Sequence, residues 1–170
     1  EHPSPKQKGV EAATGSLGHG LPIANGIALA NKTQEKNARV FVLMSDGECN
    51  EGSVWEAAMF AAQHKLQNLT AIIDYNKWQA TDRSEDVLKL KPLAEKWRSF
   101  GWNVIEVDGH NHQELFNGMT KKHDTTKPNM IIANTLKGKG ASFMEDDNNW
   151  HYRIPTEDEV KAAKKELGIS

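Results

Sequence analysis

Three short, nearly unbroken apolar runs constrain this chain more than any other feature: residues 40–44 (Val-Phe-Val-Leu-Met), 69–73 (Leu-Thr-Ala-Ile-Ile) and 129–133 (Asn-Met-Ile-Ile-Ala). Runs this short, without strict polar alternation, predict strands buried on both faces, as in a parallel sheet covered by helices. Residues 103–107 alternate more and predict a strand nearer an edge. Helical spacing recurs between the strands. Residues 20–32 carry Ile23, Ile27 and Ala30 on one stripe. Ser53 and Glu56 have capping-box spacing ahead of the small face Ala57, Ala58, Ala61 and Ala62. Pro92 and Gly101 bracket a helix striped by Leu93, Trp97 and Phe100. Asn111 with Glu114, and Thr156 with Glu159, mark two further helix starts. This alternation implies right-handed crossovers and an α/β fold, a doubly wound, mostly parallel sheet with helices on both faces. No linker or repeat divides the chain, so one domain is expected over residues 1–170.

Charge narrows the function classes. Lys and Arg total 21 against 23 Asp and Glu, a net charge of -2, so no nucleic-acid partner is expected. No apolar run approaches the roughly 20 residues of a membrane span, and no membrane association is expected. The single cysteine, Cys49, excludes an internal disulfide and suits a cytoplasmic setting. The chain opens on Glu1-His2-Pro3 rather than Met, which suggests a processed or shortened start.

In open α/β folds ligands sit beyond the carboxyl ends of the strands. That rule selects the loop from Ser45 through Asp46, Gly47 and Glu48 to Gly52, and the loop from Asp74 through Asn76 to Trp78. Asp46 offers a carboxylate; Asn76 offers an amide oxygen beside backbone carbonyls. One carboxylate, one amide and one carbonyl make half an octahedron of oxygens, the usual protein share for Mg²⁺ when phosphate or water supplies the rest. Asp-Gly after a strand is also an ordinary turn, and the paired Asn76 is what raises the functional reading. There is no Walker phosphate loop. The run from Gly15 to Gly20 lacks both the spacing and the preceding strand of a dinucleotide fingerprint. It is expected to be a tight turn that opens a helix close to a ligand.

These residues resemble the transketolase family. Asp46-Gly47 followed by Asn76 is similar to the thiamine-diphosphate motif, which begins Gly-Asp-Gly and ends in Asn. The stretches Glu11 to Gly20 and Asp46 to Glu56, the turn Lys137 to Gly140, and Trp150-His151 are similar to the same family, particularly its split form with separate N- and C-terminal subunits. The resemblance implies a thiamine-diphosphate cofactor with Mg²⁺ (or Ca²⁺ or Mn²⁺) and two-carbon ketol transfer between sugar phosphates. It also implies a homo- or hetero-oligomer, with a C-terminal partner subunit bringing a pyrimidine-binding domain and its activating glutamate. Position by position, it makes Asp46 and Asn76 metal ligands and Trp78 a backbone-carbonyl ligand. Gly47, Gly15 and Leu17 become cofactor contacts, His2 and His151 substrate-side histidines, and Glu51 and Glu56 members of an acidic network between active sites. Other readings within this chemistry are a deoxyxylulose-phosphate synthase or a 2-oxo-acid dehydrogenase component. Outside it stands a non-catalytic remnant that keeps the fold.

Structural roles compete for several of these residues. His2 lies where chain ends fray. Glu56 is explained by a capping box, and Glu51 by a solvated loop. Trp55, Trp97 and Trp102 are expected in the core or an interface, His64, His110, His112 and His123 on the surface, and Cys49 as a small buried side chain. Ser45 stands where the family usually has Gly, and Tyr152 follows His151 where Gly is common. The family's cofactor domain also carries a further segment ahead of the match to His2.

Overall fold

The computed structural model describes residues 3–120 and 126–169. His2 and His123 therefore lie outside the described residues. Four parallel strands, β1 (Val40–Ser45), β2 (Leu69–Tyr75), β3 (Asn103–Asp108) and β4 (Asn129–Asn134), form one sheet in the order β1-β2-β4-β3. The helices are α1 (Gly20–Thr33), α2 (Gly52–Gln63), α3 (Ser84–Val87), α4 (Leu93–Ser99), α5 (His112–Thr120) and α6 (Glu157–Glu166).

The main core lies on one sheet face. There Met44, Ala71, Ile73, Met130 and Ile132 pack with Leu21, Ala24 and Ala28 of α1, Val54, Ala57, Ala58 and Ala61 of α2, and Leu93, Ala94 and Trp97 of α4. The alanine face of α2 lets its backbone approach α1 closely enough for the buried Asn25 amide to donate to the Ala57 carbonyl at 2.8 Å. Trp97 is fully buried between Trp55 and Trp102, with ring centroids 5.1 and 5.0 Å away. On the opposite face a smaller cluster of Val107, Ile131 and Ala133 packs with Ile105 of β3 and with Leu115 and Met119 of α5.

Strand β1 departs from the expectation of burial on both faces. It is an edge strand, and Phe41 and Leu43 are 42% and 70% exposed while Val40 and Met44 are buried. Its continuous apolar run therefore conceals an alternation of environment, because α1 covers one side of it and no described helix packs on the other. Strand β3 takes the opposite edge, as its alternation predicts.

The Thr156 capping box forms: its hydroxyl accepts from Glu159 N–H while the Glu159 carboxylate accepts from Thr156 N–H. The Ser53 box does not. Helix α2 is N-capped by Glu51 without a side-chain bond, and the Ser53 hydroxyl donates instead to the Gly18 carbonyl at 2.8 Å. No described helix is long and apolar enough to cross a membrane.

Candidate metal and diphosphate site

Strands β1 and β2 are neighbours in register, Ser45 opposite Asp74, so their carboxyl-end loops leave the sheet side by side. The Asp46 N–H continues the ladder to the Asp74 carbonyl at 3.3 Å before the chain turns into a 3-10 turn over Gly47–Asn50. Asp46 is fully buried. Its Oδ1 accepts from Gly47 N–H at 3.0 Å. Its Oδ2 accepts from Lys77 N–H at 3.1 Å and from the Ser84 hydroxyl at 2.7 Å. Asp46 is thus tied to the residue directly after Asn76, and the two expected oxygen ligands come from adjoining loops. The Asn76 Oδ1 is itself fixed by Trp78 N–H at 2.9 Å.

The electrostatics of Asp46 are unusual for a buried acid. Among the described residues no cationic side chain forms an ion pair with it. Burial pushes its carboxyl above the ordinary value and the nearby Asp74 adds to this, while the bonds from Ser84, Gly47 and Lys77 oppose it. A buried carboxylate without a counter-charge is costly. A hard divalent cation would supply that charge, and the carboxylate-plus-amide donor set would suit one that takes its remaining oxygens from phosphate or water. The described residues hold no cluster of three or more His, Cys, Asp or Glu side chains suited to a metal. The donor set therefore fits a cation shared with a ligand rather than an all-protein cage.

The glycine-rich turn sits against this site. Gly18 N–H donates to the buried Glu48 carboxylate at 2.9 Å, and Gly18 O accepts from Ser53 Oγ. Gly18 adopts φ +82, and a Cβ there would overlap Ser53 Oγ and lie 2.8 Å from Glu51 Cβ. Gly15 and Leu17 are exposed on the same turn, with Leu17 half in solvent. A Cβ on Gly47 would meet the Gln79 side chain at 3.0 Å.

A third loop docks on the second. Asp146 accepts from both guanidinium nitrogens of Arg83 at 2.8 and 2.6 Å, and from Trp78 Nε1–H at 2.9 Å. The Arg83 guanidinium lies 3.8 Å from the centre of the Trp78 ring. The Asn148 amide donates to the Ala80 carbonyl. These contacts bring the exposed His151, in the 3-10 turn Asn148–His151, to the same end of the sheet. Tyr152 packs edge-on to the His151 ring and is 77% exposed.

Residues 1–170 match the family model described as transketolase, thiamine diphosphate binding domain. The chain belongs to the transketolase family. It is 45% identical over 162 residues to an apulose-4-phosphate transketolase subunit of Actinobacillus succinogenes, covering 95% of this chain and 59% of that protein. It is 44% identical over 160 residues to the 6-deoxy-6-sulfo-D-fructose transketolase subunit SqwG of a Clostridium species, covering 94% and 58%. Among solved structures, transketolase from Campylobacter jejuni superposes with a TM-score of 0.90 at 30% identity, over 99% of this chain and 28% of that one. This transketolase-family chain thus spans about three-fifths of the length of the two curated subunits.

Some of the expected residues are exposed in the single chain. Glu51 and Glu56 are exposed at the start of α2, and Glu56 makes no hydrogen bond or ion pair among the described residues. The capping role expected for Glu56 is absent because Ser53 is bonded to Gly18. His110 is exposed, as expected, yet its Nε2 accepts from Leu136 N–H at 2.8 Å. Cys49 is 1% exposed and burial pushes its thiol up, which leaves it inert. Sequence reasoning missed Ser84, Glu48, Arg83 and Asp146. Only Glu48 had a local signal, directly after Asp46-Gly47.

Proposed function

We propose that this chain is the cofactor-anchoring, N-terminal-type subunit of a split transketolase, acting in the cytoplasm as one domain over residues 1–170. In this reading Asp46, Asn76 and the Trp78 carbonyl hold a divalent cation, Mg²⁺ by preference, that grips the diphosphate. Gly47, Gly15 and Leu17 contact the cofactor. When bound, thiamine diphosphate supplies a thiazolium carbon able to carry a two-carbon fragment between sugars. The observation that carries the reading is the buried Asp46 carboxylate, unpaired with any described cation and bonded to the backbone beside Asn76.

The chain's own residues then divide the work. Asp46 and Asn76 set the position of the cation. The Gly15–Leu17 turn, clamped through Gly18 to Glu48, closes over the ligand with backbone rather than side chains. His151, carried by the loop that docks on Trp78, faces solvent where a sugar would approach and is suited to steer its protons. The family resemblance assigns His2 a like substrate-side role. Glu51 and Glu56, exposed in the single chain, are suited to meet a second subunit in a dimer. The partner is a C-terminal subunit bringing the pyrimidine-binding domain. Two relatives are named for a ketose phosphate and a sulfo-ketose, and we assign this chain an anionic ketose as donor.

The test is calorimetry followed by reconstitution. The chain alone binds thiamine diphosphate weakly, only with a divalent cation such as Mg²⁺, and transfers no ketol unit. Adding the partner restores transfer from ketose phosphates and not from pyruvate. Robust turnover by the isolated chain, or no cofactor uptake in Mg²⁺, refutes the reading.

A further inference from the structure

Ser84 is fully buried although it opens a helix of one turn, and its hydroxyl donates to Asp46 Oδ2 at 2.7 Å. The backbone explains how it arrives there. Ser84 N–H donates to the Lys77 carbonyl at 3.0 Å, Gln79 N–H donates to the Asp82 carbonyl at 2.9 Å, and Trp78 bridges Arg83 in antiparallel fashion. Residues 77–84 are therefore a closed loop, and both of its ends meet the same carboxylate oxygen. The Arg83 guanidinium, stacked on Trp78 and paired with Asp146, locks the loop from outside.

Each carboxylate oxygen of Asp46 offers about two lone-pair directions. Oδ2 receives two donors, Lys77 N–H and Ser84 Oγ–H, and has no site left. Oδ1 receives only Gly47 N–H and keeps one. We infer that Ser84 is a positioning residue that occupies Asp46 Oδ2, so that a divalent cation reaches Asp46 through Oδ1 alone. This rests on the cation site proposed above. One-oxygen coordination matters because Mg²⁺ demands near-ideal octahedral geometry at short distance, whereas Ca²⁺ accepts carboxylates through both oxygens and tolerates irregular geometry. Ser84 thereby tunes the site toward the smaller ion. Without its hydroxyl, Oδ2 regains a lone pair and Asp46 can turn both oxygens to the metal.

The experiment titrates Mg²⁺ and, separately, Ca²⁺ into the full chain at fixed thiamine diphosphate, followed by calorimetry. The wild type is compared with Ser84→Ala. A second variant, Ser84→Cys, has only a weak S–H donor and serves where the alanine variant loses its near-ultraviolet tryptophan signature. Mg²⁺ affinity is expected to fall roughly tenfold, the equivalent of one hydrogen bond to a charged group, while Ca²⁺ affinity holds within about threefold. The preference for Mg²⁺ over Ca²⁺ thus shrinks in both variants. A loss equal for both ions marks Ser84 as merely structural and overturns the inference, as does an unchanged preference. Failure of the wild type to take up either ion with thiamine diphosphate sinks the cation site and this inference together. Uptake by the wild type with an unmoved preference sinks the Ser84 assignment alone.

Discussion

Substituting Gly18 by alanine tests whether the glycine turn is a cradle held in place or merely a connector. Gly18 sits at φ +82, where an L-residue costs about 1–2 kcal/mol. Its new Cβ would overlap Ser53 Oγ, which must rotate away and surrender its bond to the Gly18 carbonyl, a further loss of about 1 kcal/mol. Glu51 Cβ, 2.8 Å from that position and fixed to backbone, cannot yield as easily. The sum is about 2–3 kcal/mol, or roughly 30- to 150-fold in an equilibrium constant. Because the turn can swing outward, this loss is expected in cofactor affinity more than in global unfolding. Gly9 is the control: at φ +90 with nothing within 4 Å of its Cβ position, Gly9→Ala carries the dihedral strain without the overlap. Calorimetric titration of thiamine diphosphate in Mg²⁺ should find Gly18→Ala weakened by that factor and Gly9→Ala close to wild type. If both variants bind alike, and melt alike, the turn is not clamped against Glu48 and Ser53 in the way described.

Three other outcomes follow from the same geometry. Trp97→Ala opens a cavity between Trp55 and Trp102 and should destabilise by about 3–5 kcal/mol. In a chain of this size that is a fall of about 6–20 °C in Tm by calorimetry, and a change of a degree or two contradicts it. Trp97→Phe, which also removes a buried Nε1–H without a partner, should lose less. Arg83 and Trp78 hold the Asp146 carboxyl down to about 2 from its ordinary 3.8, so its docking contribution is full above the ordinary value and is lost as pH falls toward 2. Protection factors for amide exchange of residues 142–152 should fall across that window, and in Asp146→Asn should already be low at neutral pH; equal protection in the two proteins at pH 7 refutes the docking role. Chelation by EDTA should abolish thiamine diphosphate uptake in equilibrium dialysis, and retention of the cofactor without divalent ions would exclude the Asp46–Asn76 site.

The sheet was legible because its physics is local to each strand: residues 69–75 and 129–134 are built around the apolar runs Ala71 to Ile73 and Met130 to Ala133 and lie in the middle of the sheet, flanked on both sides. Residues 40–45 look the same in sequence and are half exposed, since burial at an edge depends on what covers it and a hydrophobic run does not encode that. The proximity of the two candidate-site loops was legible for a similar reason. Asp46 and Asn76 follow strands that happen to be neighbours, and strand ends converge in every parallel sheet. Ser84 and Asp146 were not legible, and Glu48 was legible in place but not in partner, because each acts across 30 or more positions on a residue that only the folded chain brings near.

Ser53 makes the competition explicit. Its spacing to Glu56 favours a capping box, worth about 1 kcal/mol to the helix. In the fold its hydroxyl donates to Gly18 instead, and α2 starts uncapped by any side chain. The bond to Gly18 wins because that turn has few other anchors: Gly18 lacks a side chain, and its N–H and carbonyl are held by Glu48 and Ser53 respectively. A helix that packs Val54, Ala57, Ala58 and Ala61 into the core stays folded without its cap, whereas a glycine turn released from Glu48 and Ser53 keeps only exposed bonds within itself, such as Ser16 N–H to Thr14 Oγ1. Local propensity was overruled where the site needed the hydroxyl more. Ser53→Ala should therefore leave Tm nearly unchanged and weaken cofactor binding several-fold, about the effect of one hydrogen bond. A variant that melts earlier yet binds normally would place Ser53 in the helix after all.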